Sequence, residues 1–260
     1  MSTSQVGADE AQDSMRAEFD TFAAWTTAAL QSLGARYAVP AACRGSGTPA
    51  ALSWLLDALR VPRGEPLLDI GAGLGGPAAY AQRQHGVRPV CVDPMPQACL
   101  GALDLFGLDV VQAEAGRMPF ADNSFRHAWS LGTLCTTPDR VGWLAEWGRV
   151  LTRGARLGAM VLVSTDAPFA TSRGNVFPDL PELDRLWAGA GFYPVRQRWT
   201  RRLPQAGAEW REAEDRVAQR IWEVHGEDPR YALVQAQQRT LGQLIRSGRV
   251  RGLLVVLARA

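Results

Sequence analysis

Two carboxylates and four glycines pose the first chemical question. Asp69 precedes a glycine turn, Gly71-Ala72-Gly73-Leu74-Gly75-Gly76, and Asp93 lies twenty residues past Gly73. The flanking runs, Pro66–Ile70 and Val90–Asp93, are short, apolar and bounded by turn residues, the pattern of buried strands. Pro77 suits the first turn of a helix between them. Gly71, Gly73, Gly75 and Gly76 remove side chains that would keep a ligand off the backbone. An acid at the tip of the neighbouring parallel strand can grip ribose hydroxyls. A nucleoside-containing ligand is the expectation.

The spacing Gly71-x-Gly73-x-x-Gly76 also matches the dinucleotide fingerprint, which alone is a weak signal. Asp69 argues against that reading, because a carboxylate there would face a pyrophosphate that needs donors and positive charge. It suits a ligand whose tail carries an ammonium group and no phosphate. S-adenosyl-L-methionine has these parts: adenosine, a sulfonium and an amino-acid tail. Asp69 then organises the loop or the ammonium tail. Arg44, in the glycine-rich stretch before the motif, has the fork geometry to pair with the methionyl carboxylate.

Downstream segments add a resemblance. Val111-Gln-Ala-Glu-Ala-Gly-Arg-Met-Pro-Phe120, Asp122-Asn-Ser-Phe125 and Glu146-Trp-Gly-Arg149-Val-Leu-Thr-Arg-Gly154 follow the glycine motif in order. With it they resemble the class I S-adenosylmethionine-dependent methyltransferases, in the branch related to ubiquinone/menaquinone and small-molecule methyltransferases. The resemblance covers roughly residues 66 to 164. It implies an α/β, Rossmann-like, seven-stranded, mostly parallel sheet of order 3-2-1-4-5-7-6, the seventh strand returning antiparallel. It places Asp93 on the ribose, Pro94 and Met95 along the adenine face, and Glu114 and Ala115 at the adenine edge. Ser130 and Leu131, at the fourth strand's tip, complete the expected cofactor contacts with Asp69, Gly71, Ala72, Gly73 and Gly76.

Catalysis is less legible. Where this family usually has Leu-His-His after the fourth strand, the chain has Leu134-Cys135-Thr136. Cys135 is a candidate base or substrate contact. His225 is the remaining candidate base, since histidine titrates near neutrality. Trp129, Trp222, Cys135 and His225 are expected to line an acceptor pocket, the tryptophans favouring an apolar or aromatic molecule. His127 reads as a strand histidine, and Gly174–Pro178 as a turn near the pocket mouth. Arg196, Arg198, Arg201 and Arg202 read as a solvated face.

Composition narrows the classes. The 28 basic and 26 acidic residues leave a net charge of +2, so nucleic acid is not implied. The sequence contains no lysine, which excludes lysine Schiff bases and the Walker A lysine. Four cysteines without C-x-x-C pairing and three scattered histidines give no metal site. Met1 to Asp13 has no signal pattern and no apolar run approaches a membrane span, so a cytoplasmic enzyme with no membrane partner is expected.

The elements that must position these residues alternate. An N-terminal helix is expected over about Asp13–Leu33, a loop over Val39–Gly47 and a second helix over Pro49–Leu59. Further strands fall near 89–93, 109–112, 126–131, 156–163, 192–199 and 250–258. Helices fall near 76–85, 97–106, 140–151 and 181–190. Alternation of this kind argues a parallel sheet. A long amphipathic insertion, about Ala206 to Arg246, is expected to cap the strand tips. The organisation is a helical segment (1–60) contributing to a substrate lid, a cofactor core (61–205), a cap (206–248) and the last strand (249–260). The expected activity is methyl transfer to an oxygen, nitrogen or carbon nucleophile of a small organic acceptor, such as an apolar, aromatic or quinone-like metabolite. Two alternatives stay open: a binding protein or non-redox cyclase of the same fold, and a nicotinamide-dependent oxidoreductase.

Overall fold

A computed structural model describes residues 3–43, 45, 47–172 and 174–260, with side chains from residue 14 onward. Helix α1 (Thr3–Leu33), the five-residue α2 (Ala38–Ala42) and α3 (Pro49–Leu59) lead into β1 (Pro66–Ile70). Then follow α4 (Gly76–His85), β2 (Arg88–Asp93), α5 (Pro96–Phe106), β3 (Asp109–Gln112), β4 (Phe125–Leu131), α6 (Arg140–Val150) and β5 (Leu151–Ser164). A short hairpin, β6 (Phe169–Ala170) with β7 (Val176–Phe177), precedes α7 (Leu180–Gly189) and β8 (Phe192–Trp199). Helices α8 (Ala208–His225) and α9 (Pro229–Arg246) lead to β9 (Val250–Arg259).

The seven long strands form one sheet in the order β3-β2-β1-β4-β5-β9-β8. Strand β9 runs antiparallel to both β5 and β8. Counting sheet strands alone, this is the expected 3-2-1-4-5-7-6 order of a Rossmann-like α/β fold. Alternation along the strands divides the core. Leu68, Ile70 and Val92 bury against Trp147 and Leu144 of α6, while Leu67, Trp129 and Leu131 bury against Leu52, Leu55 and Leu59 of α3. Both faces of the sheet are covered, as parallel strands require.

The helices start where the chain supplies caps. Thr48 accepts from the Ala51 amide, Asp139 from Gly142 and Asp179 from Glu182, with Pro49 and Pro181 in the first turns of their helices. Three local features differ from expectation. Helix α1 begins at Thr3 and not near Asp13. Part of the expected 39–47 loop is α2, where Ala38, Val39 and Ala42 find burial; Pro40 sits in the first turn, where its missing N–H costs nothing. Within the expected 174–178 turn, Val176 and Phe177 form β7 and pair with β6.

The insertion before β9 is two helices, and it seats on the N-terminal helices. Val217 and Ile221 of α8 pack on Trp25, Ala29 and Leu30 of α1 and on Ala38 of α2, and α9 contacts α1 and β9. Helix α1 is thus held between this pair and α5, where a Cβ on Gly101 would fall 2.5 Å from Thr27 Oγ1. Among the described residues no helix is long and apolar enough to cross a membrane.

The start of α4 is seated with equal tightness. A Cβ on Gly76 would lie 2.5 Å from the Ala42 carbonyl carbon and 2.7 Å from the Cys43 nitrogen, backbone atoms that cannot rotate aside. Gly76→Ala should destabilise the fold by about 1–3 kcal/mol. The check is a lower urea midpoint with an unchanged slope; an unchanged midpoint would refute the seating of α2 on α4.

Candidate functional site

The tips of β1 and β2 meet at one carboxylate. Asp93 Oδ2 accepts from the Gly73 amide at 2.8 Å and Oδ1 from the Met95 amide at 2.9 Å. The turn is anchored from the other side by the Gly71 and Ala72 amides, which donate to the Val92 carbonyl at 2.8 and 3.0 Å. Gly71, Gly73 and Gly75 all take positive φ, which side-chain-bearing residues adopt at a cost. At Gly71 a Cβ would also fall 2.1 Å from Thr133 Cγ2, whereas nothing lies within 4 Å of one at Gly73. The loop therefore offers an open backbone cradle beside a buried acid.

Asp69 lies deeper, 2% exposed. The Trp129 indole is near enough to stabilise its charge, but neither Trp129 Nε1 nor Asp69 Oδ2 completes a hydrogen bond. Burial pushes the Asp69 carboxyl up to about 7, with a smaller contribution from Asp93. Burial likewise raises Asp93 to about 6, against the opposing pull of the Met95 and Gly73 amides; Asp20 and Glu114 add to the rise. Two desolvated acids and an orphaned carboxylate oxygen suit a cationic ligand group and repel a pyrophosphate.

Helix α6 holds the loop after β3. Trp147 Nε1 donates to the Ala115 carbonyl at 3.0 Å. Arg149 donates to the carbonyls of Phe120 at 2.7 Å and Met118 at 3.0 Å, while Glu146 accepts from the Met118 amide at 2.6 Å. The two side chains also pair with each other, which holds Glu146 below the usual carboxylate range. The Glu146-x-x-Arg149 signature thus builds the wall that carries Glu114 and Ala115. Glu114 itself is gripped by Arg16 of α1 through two bonds of 2.8 and 3.1 Å. Asp20, one turn further on, accepts from the Gln97 amide at 2.7 Å and caps α5.

Neither Arg16 nor Asp20 was expected at the site. Their only signal was an i,i+4 pair of opposite charges on α1, and their partners lie 98 and 77 residues away. At the tip of β4, Ser130 donates to the Ile70 carbonyl at 3.0 Å and pairs with the Thr133 hydroxyl. Ser130 and Leu131 are buried, Pro94 and Met95 half-buried. Arg44 lies outside the described residues. Its neighbour Gly45 reaches the β4 tip, where the Gly45 carbonyl lies 2.8 Å from a Cβ built on Gly132.

The expected catalytic and acceptor residues are not brought together. Cys135 is buried, donates to the Gly132 carbonyl at 3.1 Å and has its thiol pushed up to about 12 by burial, which favours the neutral thiol near neutrality. Trp129 is fully buried in the sheet layer, not in a pocket wall. Trp222 is 54% exposed, because the buried stripe of α8 is Ala213, Val217 and Ile221 and position 222 turns about 100° away from it. His225 continues that stripe and stacks on Trp25, ring centroids 4.3 Å apart. His127 sits on β4 with its pKa lowered by burial.

A cavity of about 420 Å³ opens elsewhere, between α1, α9 and the loop carrying Ser172. Met15, Leu233 and Val234 give it apolar walls, and Glu18, Arg230 and Gln237 supply polar groups. A smaller hollow shares Ser172 and Gln237 with it and reaches Phe177 and Leu241, which pack with Cys135 at the β4 tip. Among the described residues no cluster of histidine, cysteine and acids could hold a metal ion.

Residues 68–158 match the family described as "Methyltransferase domain". Methyltransferase GfsG of Streptomyces halstedii is 32% identical over 120 residues, covering 42% of this chain and 42% of that protein. Methyltransferase phqN of Penicillium fellutanum is 28% identical over 120 residues, covering 44% of this chain and 37% of that protein. The chain spans less than half the length of these curated relatives. Among solved structures, the [4+2]-cyclase SpnF superposes with a TM-score of 0.65 at 20% identity, over 81% of each chain. Geranyl diphosphate C-methyltransferase from Streptomyces coelicolor A3(2) superposes with a TM-score of 0.60 at 18% identity, over 81% of this chain and 79% of that one. Likeness at these identities establishes the fold.

The buried acids carry a pH signature. Asp69 and Asp93 keep protons in the folded protein at pH values where the unfolded chain has lost them. Their contribution to stability therefore falls as pH rises from about 4 to 7 and levels off above it. Asp69→Asn removes one of these groups. Its stability relative to the native chain should rise between roughly pH 4 and 7 in denaturant titrations and level off above; a pH-independent difference would show that Asp69 ionises in the folded protein as it does in the unfolded chain.

Proposed function

Proceeding from a chain with the class I S-adenosylmethionine-dependent methyltransferase fold, we propose that it binds S-adenosyl-L-methionine at the tips of β1 and β2 and methylates a small organic acceptor. The observation that carries this reading is the pairing of an open glycine cradle clasped by Asp93 with the orphaned, buried Asp69 carboxylate. The methyltransferase-domain match across that same stretch supports it. The residues present fit the group. Asp93, Gly71, Ala72, Gly73 and Gly76 would hold its ribose and tail, Pro94, Met95, Glu114 and Ala115 its adenine, with Ser130 and Leu131 beneath. Asp69 favours an ammonium tail. Bound there, S-adenosylmethionine would supply an electrophilic methyl group.

The acceptor belongs in the cavity between α1 and α9. Residues 1–60 and 206–248 then act as the substrate-holding part, and 61–205 with 249–260 as the cofactor-holding part. A cavity of about 420 Å³ admits a molecule of drug-like size. Its mixed walls suit an apolar or aromatic skeleton bearing hydroxyl or carbonyl groups, with an oxygen, nitrogen or carbon nucleophile; quinone-like compounds fall in this range. The Glu146-x-x-Arg149-Val-Leu signature is what favours the ubiquinone/menaquinone and small-molecule branch. No histidine lines the cavity, and the Cys135 thiol is neutral near pH 7. The protein's contribution is then proximity and orientation in a site shielded from water, which supply on the order of 7–11 kcal/mol in well-aligned systems.

The cyclase of like fold and the cavity without histidine favour one second reading, a non-redox cyclase or binding protein that keeps the cofactor and has lost methyl transfer. Release of S-adenosylhomocysteine across a panel of phenols, amines and quinols separates the two. Tight cofactor binding with no release from any acceptor supports the second reading. Asp93→Ala should weaken S-adenosylhomocysteine binding by about 1–3 kcal/mol, the range for hydrogen bonds to charged groups. Unchanged affinity by calorimetry would remove Asp93 from the ribose.

A further inference from the structure

We infer that Arg16 is a positioning residue for the adenine end of the cofactor site, acting through Glu114 to fix the acceptor of the 6-amino group. The inference rests on the cofactor reading above and adds a residue to the site from far outside the methyltransferase-domain match. Arg16 and Glu114 form a fork, with two roughly parallel bonds of 2.8 and 3.1 Å. A carboxylate has about four lone-pair sites. The guanidinium takes one on each oxygen and leaves the outward pair on each free to accept from another donor.

The rest of Glu114 is already fixed. Its carbonyl accepts from the Arg117 amide at 2.9 Å, and the next carbonyl, of Ala115, accepts from Trp147 at 3.0 Å. Only the side-chain rotamer is left to choose, and Arg16 chooses it. Arg16 in turn stands on a rigid platform. Asp20, one turn along α1, caps α5 through Gln97, and Thr27 lies where a Cβ on Gly101 would fall.

Charge points the same way. Glu114 and Asp20 both disfavour ionisation of Asp93, so acids gather at the tips of β2 and β3. The Arg16 cation offsets part of that field where a neutral base must sit. The pair is 42% and 41% exposed, and exposed ion pairs add little to folding. Its removal should therefore be felt in ligand recognition while the fold persists.

The test is calorimetry with S-adenosylhomocysteine and its 6-oxo analogue, S-inosylhomocysteine. The native protein should prefer the adenosyl compound. Arg16→Met should lower affinity for it roughly tenfold, the effect of one charge-assisted hydrogen bond, and lower inosyl affinity much less, so that discrimination shrinks. Arg16→Lys should restore only part, because an ammonium cannot span both oxygens. Glu114→Gln, with Arg16 intact, should lose the same discrimination. Equal losses for both ligands, no loss, or full discrimination in Glu114→Gln would each overturn the inference. A native protein that binds neither ligand would instead overturn the cofactor reading, and the inference with it.

Discussion

The double acceptance at Asp93 is the constraint on which the rest of the site depends. One side chain ties the Gly73 amide of the turn after β1 to the Met95 amide at the start of α5. The turn can then keep positive φ at Gly71, Gly73 and Gly75 without collapsing onto the sheet. Desolvation opposes this arrangement, and it raises the carboxyl to about 6. Two backbone N–H bonds oppose that penalty, since a carboxylate held by amides is favoured in its charged form. Asp69, beneath the same turn, has no such partners and rises further, to about 7. The two acids are thus graded by their partners: Asp93 is held by two backbone amides, whereas Asp69 Oδ2 has none.

Around this anchor, the walls are held by side chains whose own positions are overdetermined. Trp147, Glu146 and Arg149 converge from one helix on the backbone of residues 115–120. A loop without regular strand or helix is thereby fixed from one side. Helix α1 closes the other side and is clamped between α5 and the α8–α9 pair. Sites precise to fractions of an ångström need this kind of support from rigid elements.

Sequence patterning revealed the half of the molecule governed by local rules. The glycine turn, Asp93 and the individual strands are written in short apolar runs and turn residues, and their bounds agree with the structure to a few residues; the sheet order came from the family resemblance and agrees as well. Four things escaped for physical reasons. The face of α8 that is buried is decided by α1, so Trp222 and His225 could not be sorted by type; one is in water and the other stacks on Trp25. The pairing of Arg16 with Glu114 joins residues 98 apart and leaves no periodic trace. The β6–β7 hairpin has two residues per strand, too few for alternation to show. Cys135 was judged by its position after β4, whereas burial among Phe177 and Val250 decides its chemistry.

The division between these halves also bears on what acceptor the chain takes. The methyltransferase-domain match ends at residue 158 and begins at residue 68, whereas the cavity is walled by Ser14, Met15, Ala17, Glu18 and Thr21 of α1, by Ser172 and by one face of α9 that includes Arg230, Leu233 and Gln237. None of those wall residues lies within the match. On the proposed reading the matched part of the chain faces the cofactor, and the cavity walls that would hold the acceptor lie outside the match. A fold of this kind can change acceptors by altering α1 and α9 while the strand tips stay fixed, because the contacts that hold α1 to α5 and to Glu114 lie on a different face of the helix from those that line the cavity. Residues 16 and 20 turn toward the strand tips and residues 14, 18 and 21 toward α9, as a period of 3.6 residues requires. On the proposed reading one helix therefore faces both ligands, the cofactor through Arg16 and Asp20 and the acceptor through Ser14, Glu18 and Thr21.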